Sequence, residues 1–335
     1  MNECNDLSLM NIRRLQREQP CIAEFIDSIG LTDSVKTTSV TDWINNLSDE
    51  ELADGGMARD MLLPHIRQLL QEVDNIYLAN KTQIETLTII GGHNKKGESE
   101  NIELTVKAGD IICIVGPTGS GKSCLLSDIE CLAQRDTPTR RQILINGAPP
   151  DYNVRFSIHR RLVSQLSQNM NFVVDLSVHE FITMHANCRL TESIESTVQR
   201  VIDCANDLTG EKFSPDCSIT QLSGGQTRAL MIADTALLGA APIVLIDEIE
   251  NAGVDRKRAL ELLVAEDKIV FISTHDPLLA LRGKQRMVIR NGGIEKIIST
   301  SLKEQSNLNK LEAMEDIILK VRESLRLGQT IEDVI

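Results

Sequence analysis

A glycine-rich segment that ends in lysine and serine is the first part of this chain able to do chemistry. Residues 116–123 read Gly-Pro-Thr-Gly-Ser-Gly-Lys-Ser. The glycines let successive backbone N–H groups point at a phosphate, the Lys122 ammonium neutralises phosphate oxygens, and the Ser123 hydroxyl ligates Mg²⁺. An apolar run at 111–115 predicts a buried strand before the segment, and residues 123–126 predict a helix after it. The sequence therefore predicts a nucleotide-phosphate site. Its candidate residues are Gly116, Pro117, Thr118, Gly119, Ser120, Gly121, Lys122 and Ser123.

Two adjacent acids close a second apolar run. Residues 243–248 read Ile-Val-Leu-Ile-Asp-Glu. In a strand parallel to the one before the phosphate loop, Asp247 would hold the Mg²⁺ shell through a water molecule, opposite Ser123. Glu248 would point at the water that attacks the γ-phosphate. An Asp-Glu pair at a strand end is more often a solvated turn when it stands alone. The upstream phosphate loop favours the catalytic interpretation here.

A histidine follows a third apolar run. Residues 272–276 read Ile-Ser-Thr-His-Asp. A lone histidine at such a place is more often structural than catalytic. Because His275 comes after a phosphate loop and an acidic strand end, the sequence predicts that it lies near the γ-phosphate.

The order of these segments resembles that of the ATP-binding cassette (ABC) ATPases over roughly residues 82–298. Between the phosphate loop and the acidic strand lies Leu-Ser-Gly-Gly-Gln at 222–226, which resembles the family's signature. In that family two cassettes meet head to tail and hold ATP between the phosphate loop of one and the signature of the other. The resemblance implies ATP and Mg²⁺ as ligands and hydrolysis of ATP to ADP and phosphate. It also implies a homodimer, or a pairing with a related cassette.

The signature candidates are Ser223, Gly224, Gly225 and Gln226. Ser223 and Gly225 are implied to act on the nucleotide held by the other chain. The two glycines expose backbone N–H groups at a helix start, which suits a phosphate.

The family's glutamine loop has two candidates here. Gln165 and Gln168 both end or follow the predicted strand at 162–163. The later Leu-Ser-Val at 176–178 stands at the spacing from Gln168 that resembles family members. Gln168 is therefore the preferred residue to contact Mg²⁺ and to sense the γ-phosphate.

Three departures from the family pattern stand out. No Phe, Tyr or Trp lies between Tyr77 and Gly116, where members carry a ring that stacks on adenine; His93 is near that position and could stack weakly. Residues 249–255 replace the usual Pro-Thr-Ser-Ala-Leu-Asp and move the aspartate one place later, to Asp255, the candidate to cross the dimer interface. Asp234 stands where an arginine is common.

Composition excludes several function classes. The net charge of −13 and 3% aromatic residues argue against a general nucleic-acid surface. The eight cysteines include no Cys-x-x-Cys pair, which argues against a zinc site. No apolar stretch has the length of a membrane span, and the start lacks the features of a secretory signal. We expect a cytoplasmic protein, peripheral at the inner face of a membrane if it serves a membrane partner.

The chain divides into three parts by pattern. Residues 1–78 show helical periodicity and an acidic balance, with a capping box at Ser48 and Glu51, and predict a small all-α domain. Residues 79–300 predict an α/β ABC-type P-loop domain with a mixed sheet core, an antiparallel β subdomain and a helical subdomain that carries the signature. Residues 301–335 predict an amphipathic helix that either packs on its own domain or forms a dimer.

The biological task has two interpretations of equal weight. One is the nucleotide-binding subunit of a membrane transporter, in which the apolar loop 169–174 receives a helix of the membrane subunit. The other is a soluble ATPase that remodels a client protein chosen by the acidic N-terminal domain. A nucleic-acid clamp is disfavoured, because the chain lacks a long coiled coil and is acidic.

Overall fold

The computed structural model describes residues 7–35, 38–81, 84–156, 161–167, 170, 172–189, 191, 193–248 and 253–331. The chain forms two compact units, Met1–Asn80 and Lys81–Ile335, and each is described by itself.

The first unit is helical. Two 3₁₀ turns (Leu7–Leu9 and Thr32–Ser34) accompany helices α1 (Ile12–Glu18), α2 (Pro20–Ser28), α3 (Val40–Asn46), α4 (Asp49–Asp54) and α5 (Arg59–Lys81). Trp43 lies in its core, and the indole N–H donates to Ser34 Oγ at 3.0 Å. The predicted capping box is confirmed, because Ser48 and Glu51 exchange both hydrogen bonds at the start of α4. The unit thus has an apolar core of its own.

The second unit begins with an antiparallel sheet. Strands β1 (Thr86–Ile90), β2 (Glu103–Lys107) and β4 (Gln142–Ile145) lie in the order β2-β1-β4. Ile89 stands opposite both Leu104 and Ile143, so alternate side chains of β1 face one core. The predicted antiparallel β subdomain is thus confirmed.

A six-stranded sheet carries the centre of the unit. It is built from β3 (Ile111–Val115), β5 (Val163–Leu166), β6 (Ile243–Asp247), β7 (Ile269–Ser273), β8 (Gln285–Arg290) and β9 (Gly293–Ser299), in the order β5-β6-β7-β3-β8-β9. Neighbours pair in parallel except β8 and β9. The carboxyl ends of β6, β7 and β3 therefore meet side by side at one edge, where α/β proteins bind ligands.

Helices cover and extend this sheet. Helix α6 (Lys122–Glu130) follows β3, and α7 (Tyr152–Arg155) follows β4. Helices α8 (Val178–Cys188), α9 (Ile194–Leu208) and α10 (Gly224–Leu237) share a separate apolar core. Helices α11 (Arg256–Ala265) and α12 (Pro277–Arg282) follow β6 and β7. The predicted class is confirmed: an α/β unit with antiparallel, mixed-sheet and helical parts, and a helical N-terminal region.

The last helix, α13 (Leu302–Arg326), packs on α12 of its own unit. Three ion pairs fix it there: Arg286–Glu304, Arg282–Glu312 and Arg256–Glu315. Apolar side chains from Met314 to Leu325 remain exposed along its second half. Across the described ranges, no helix has the length and apolar character needed to cross a bilayer.

Candidate functional site

The phosphate loop takes a backbone path that excludes side chains. Gly121 has φ +105°, and a Cβ there would lie 2.7 Å from the Cα atom of Gly292. A Cβ on Gly116 would lie 2.4 Å from the Ile289 carbonyl oxygen. Both contacts are with backbone and leave no room to yield. The loop is therefore tightly seated on the end of β8 and the turn that follows it, and α6 begins directly after it.

The loop holds its lysine through backbone carbonyls. Lys122 is buried, and its Nζ donates to the carbonyl oxygens of Gly116 at 2.9 Å and Pro117 at 3.4 Å. The hydroxyl of Ser120 is buried and has no hydrogen-bond partner among the described residues. Ser123 is exposed on the first turn of α6. An unpartnered hydroxyl, an ammonium and a helix start facing the same loop are suited to phosphate oxygens.

Three of the predicted side chains meet at this edge of the sheet. The Nε2 atom of His275 lies 3.3 Å from Lys122 Nζ and 3.2 Å from Glu248 Oε1. They meet because β3, β7 and β6 are neighbours and each residue follows its strand by a few positions. Asp247, the last residue of β6, is half-buried and stands opposite Ser273 of β7.

Glu248 adopts a constrained backbone conformation. Its φ is +50°, in the left-handed region that costs a non-glycine residue about 1–2 kcal/mol. Its N–H donates to the Ser273 carbonyl at 3.0 Å, and its own carbonyl accepts from Arg228 Nη1 at 2.7 Å. These contacts hold the peptide in place and aim the carboxylate at His275.

Arg228 was not predicted as part of the site. It is buried in α10, and its Nη2 also donates to the Ser167 carbonyl at 2.9 Å. The arginine thus joins the signature helix to the ends of β5 and β6. The sequence did show one basic residue among mostly apolar ones in that helix, but this pattern does not indicate which groups the arginine contacts.

The signature forms the start of α10. Ser223 Oγ accepts the N–H of Gln226 at 3.3 Å, and Gln226 Oε1 accepts the N–H of Ser223 at 2.9 Å, a capping box. Ser223 and Gly224 are exposed, and Gly225 is half-buried. None of the hydrogen bonds or ion pairs of the described residues joins residues 223–226 to Lys122. The structure brings Lys122, His275 and Glu248 together, but not the signature.

Several other expected residues fall in different places. Gln168 and residues 249–252 lie outside the described residues. Gln165 is exposed on β5. Asp255 caps α11, where its Oδ1 accepts the N–H of Arg258 at 3.1 Å.

The segment expected to supply a ring for adenine offers only His93. The backbone N–H of His93 donates to the Thr139 carbonyl at 2.6 Å. Two residues later, Lys95 Nζ lies 3.4 Å from the carbonyl oxygen of Gly119 in the phosphate loop. A flexible cation, and not an aromatic side chain, therefore reaches the loop from this segment.

Asp234, the third departure, has a partner within the chain. Its carboxylate oxygens lie 3.0 and 3.1 Å from Nδ1 of His185. The pair joins α10 to α8 inside the helical part of the unit. An acid at this position therefore serves contacts between helices.

A buried ion network supports the phosphate loop from behind. The fully buried Arg141 guanidinium contacts Glu100, Asp128 at 2.8 Å and the Gly292 carbonyl at 2.8 Å. Burial alone would raise the pKa of Glu100, but the hydrogen bond and charge of Arg141 outweigh it and lower that pKa. The Gly292 N–H in turn donates to the Ser120 carbonyl at 2.7 Å. The network thus connects β4, α6 and the loop.

Comparison with known proteins agrees with this geometry. The family model described as "ABC transporter" matches residues 99–251. An uncharacterized ABC transporter ATP-binding protein of Methanocaldococcus jannaschii is 50% identical over 255 residues, which is 75% of this chain and 97% of the relative. A second such protein of that organism is 30% identical over 208 residues, covering 59% of this chain and 87% of its own length.

Solved structures share the fold. One described as the ATP binding subunit of an ABC transporter has a TM-score of 0.51 at 20% identity, over 67% of this chain and 94% of that chain. The cbiO1 protein of Clostridium perfringens has a TM-score of 0.50 at 23% identity, over 73% of this chain and 97% of that chain. The phosphate loop, acidic strand end, histidine and signature together with the Methanocaldococcus relative lead to one conclusion: the chain belongs to the ATP-binding proteins of the ABC family and binds and hydrolyses ATP.

Proposed function

We propose that two copies of this chain, or one copy and a related cassette, close head to tail around ATP and Mg²⁺ and drive a partner protein as a transporter's nucleotide-binding subunit. One observation carries the dimer. Lys122, His275 and Glu248 meet at the sheet edge, while Ser223 and Gly224 lie exposed on a separate helix start. A second chain would supply that helix start to the nucleotide.

Oxygen donors suited to Mg²⁺ stand at the sheet edge. The Ser123 hydroxyl and the Asp247 carboxylate, the latter through water, are the residues that would hold it, with Gln168 as a third candidate. The described residues contain no group of three or more His, Cys, Asp or Glu side chains placed to hold a metal. Mg²⁺ in nucleotide sites needs none, since phosphate oxygens and water complete its shell. When bound, Mg²⁺ neutralises charge that develops on the phosphates.

The remaining chemistry belongs to side chains of the cluster. Lys122 neutralises β- and γ-phosphate oxygens once it turns from the loop carbonyls. Glu248 orients the attacking water and accepts its proton. His275 contacts Glu248 and lies beside Lys122, so it can hold the carboxylate and the γ-phosphate in register. Arg228 fixes the backbone of Glu248 from the signature helix.

The partner chain's contribution follows from the start of α10. The first N–H groups of a helix have no acceptor within the helix and carry a partial positive charge. Gly224 and Gly225 offer such N–H groups at the start of the helix, while the N–H of Ser223 donates to Gln226 Oε1, which holds the serine in place. Asp255, exposed at the start of α11, is proposed to cross the same interface.

A groove beside β5 suits contact with the driven partner. It encloses about 480 Å³, and its lining includes Cys131, Val154, Arg155, Phe156, Arg161 and Val163. Phe156 is exposed although it packs on Tyr152 and carries the Arg155 guanidinium 5.0 Å from its ring. An exposed aromatic pair beside these arginines and the Glu130 carboxylate, which also lines the groove, fits a short amphipathic helix. The relatives' names support a membrane subunit as its source, and in that case the chain would work at the cytoplasmic face.

A soluble client is the second candidate. The Methanocaldococcus relative is matched over 97% of its length but over only 75% of this chain, so this chain carries a segment that the relative lacks. In this alternative the helical N-terminal part (1–78) selects the client, residues 79–300 hydrolyse ATP, and 301–335 form an appended helix.

The hydrolysis-deficient variant Glu248→Gln tests the proposal. We expect it to bind ATP, to lose hydrolysis and to elute as a dimer with Mg-ATP in size-exclusion chromatography, whereas Lys122→Ala stays monomeric. Hydrolysis at the normal rate by Glu248→Gln would show that the assignment is wrong. Membrane fractionation of cells that express Glu248→Gln separates the partners. Recovery of Glu248→Gln in the membrane fraction with an integral protein supports the transporter, provided that adding Phe156→Asp abolishes this recovery. Recovery of Glu248→Gln in the soluble fraction supports the client.

A further inference from the structure

We propose that Arg256 is a positioning residue that ties the segment carrying His275 to the C-terminal helix α13, so that α13 helps to set the hydrolysis rate. The inference rests on the proposed role of His275 near the γ-phosphate. It concerns residues that lie behind that histidine and touch neither nucleotide nor water.

Arg256 bridges two acids from distant parts of the chain. It is the first residue of α11, and one terminal nitrogen pairs with Asp276 while the other pairs with Glu315 of α13. The three side chains are mostly buried, at 22%, 13% and 30% exposed. Because a guanidinium is planar and offers two separate edges, it can hold both carboxylates at once.

Asp276 transmits this contact to the histidine beside it. Its Oδ1 accepts the Leu278 N–H at 2.7 Å and caps α12, and its own N–H donates to Thr274 Oγ1 at 3.0 Å. Oδ2 is the oxygen that meets Arg256. His275 thus lies between Asp276, whose carboxylate is anchored by Arg256, and Thr274, whose hydroxyl accepts the backbone N–H of Asp276. Withdrawal of Arg256 removes one anchor of Asp276, while the bond that the Thr274 N–H donates to β3 and the contacts of His275 itself remain.

The three ion pairs of α13 differ in one respect, which provides a matched control. Arg282–Glu312 and Arg286–Glu304 hold α13 to the end of α12 and to β8. Within the described part of the chain, neither of these arginines forms an ion pair with residues 274–276. Only the Glu315 pair continues to Asp276. Loss of Glu312 therefore weakens the attachment of α13 to a similar degree without reaching the histidine.

Arg256 also directly follows Asp255, which we placed at the dimer interface. A shift of that aspartate on dimer closure is passed to Arg256 through one peptide. Dimer closure, the position of His275 and the seating of α13 are then coupled through a single side chain. Displacement of α13 by a bound partner would slow hydrolysis through the same route.

The test compares Glu315→Gln and Arg256→Gln with Glu312→Gln. In nucleotide-free protein, hydrogen exchange of the peptide covering residues 274–280 should be faster in the first two variants and unchanged in the third. With Mg-ATP, the first two should lower kcat by about tenfold with little change in KM, as expected when a reacting group is misplaced by a fraction of an ångström. The double variant Arg256→Gln with Glu315→Gln should hydrolyse ATP no more slowly than Arg256→Gln alone, because both substitutions break the same connection.

Equal effects of Glu315→Gln and Glu312→Gln on kcat and exchange would overturn the proposal, since α13 would then act only by general stabilisation. Should Arg256→Gln fail to fold, the Glu315→Gln comparison decides alone. His275→Ala separates this inference from its basis. Normal hydrolysis by His275→Ala contradicts the proposed function. If His275→Ala loses hydrolysis while Glu315→Gln hydrolyses ATP at the normal rate, only the role of Arg256 is contradicted.

Discussion

The Nε2 atom of His275 lies 3.2 Å from the Oε1 atom of Glu248. The two residues follow neighbouring parallel strands, in which Asp247 stands opposite Ser273. Lys122 approaches the same histidine nitrogen from the next strand along. A carboxylate, an imidazole and an ammonium are thus brought together by strand order, and we propose that the phosphates of ATP bind beside the last two and Ser123.

Removal of the loop lysine should weaken nucleotide binding. We expect Lys122→Ala to weaken ATP binding by at least about tenfold, because we propose its buried ammonium as the counter-charge of the phosphates. Titration with a fluorescent ATP analogue measures the change. Lys107→Ala, at an exposed position on β2, is the control and should bind normally. Unaltered affinity in Lys122→Ala would refute this role.

Base selectivity should be weak. His93 carries the one ring in the sequence between Tyr77 and Gly116, and Lys95 approaches the phosphate loop beside it. Without an aromatic platform, ATP and GTP should bind with affinities within about tenfold of each other, a difference of 1.4 kcal/mol or less. Competition of each nucleotide against the same fluorescent analogue gives the ratio. A strict preference for ATP would mean that another group reads the base.

The buried network behind the loop should be costly to break. Arg141→Met leaves the carboxylates of Glu100 and Asp128 buried without their cation. We expect the free energy of unfolding of the second unit to fall by about 3–5 kcal/mol, as measured by urea denaturation. The neighbouring Arg140 is exposed, so Arg140→Met serves as the control. A loss as small as that of Arg140→Met would argue against the network's structural role.

Lys268 should make stability depend on alkaline pH. Burial lowers the pKa of this lysine from 10.5 to about 8 in the folded chain, where its Nζ donates to the Gly239 and Ala241 carbonyls. Between these values the unfolded chain binds more protons. The contribution of Lys268 to the free energy of unfolding therefore rises with pH, by at most about 1.4 kcal/mol per unit.

Urea denaturation between pH 8 and 10 checks this expectation. The rise should be absent from Lys268→Met and retained in Lys257→Met, whose side chain is exposed. If Lys268→Met shows the same slope as the unchanged protein, the lysine does not titrate in this range.

The strands and motifs were predictable because their signals are local. The apolar run before the phosphate loop became β3 at the expected residues, and the predicted antiparallel β subdomain begins with the pair β1 and β2. No single segment of the sequence predicts the order of the strands. A phosphate loop and an acidic strand end must nevertheless be neighbours if they bind the same nucleotide. That requirement was enough to bring Glu248 and Lys122 to one edge.

The supporting contacts could not be predicted, since they join side chains far apart in sequence. Arg228 reaches Ser167 across 61 positions, and Arg256 reaches Glu315 across 59. Neither leaves a periodic pattern. The contact between Asp234 and His185 was equally unpredictable, because the family pattern at position 234 does not indicate a histidine partner. Such partners are set by how α10, α11 and α13 pack.

The central claim is that one chain's signature completes the site of another, and mixing two inactive variants tests it most directly. Lys122→Ala lacks the phosphate counter-charge, and Gly224→Asp places an acid at the signature. A Cβ at Gly224 meets nothing within 4 Å, and an acid is tolerated at a helix start, so the second variant should fold and still bind ATP. A head-to-tail mixed dimer pairs the intact phosphate loop of one variant with the intact signature of the other. The mixture should therefore regain hydrolysis, at roughly a quarter of the unchanged protein's rate if the two variants pair at random, whereas a mixture as inactive as each variant alone would contradict the account.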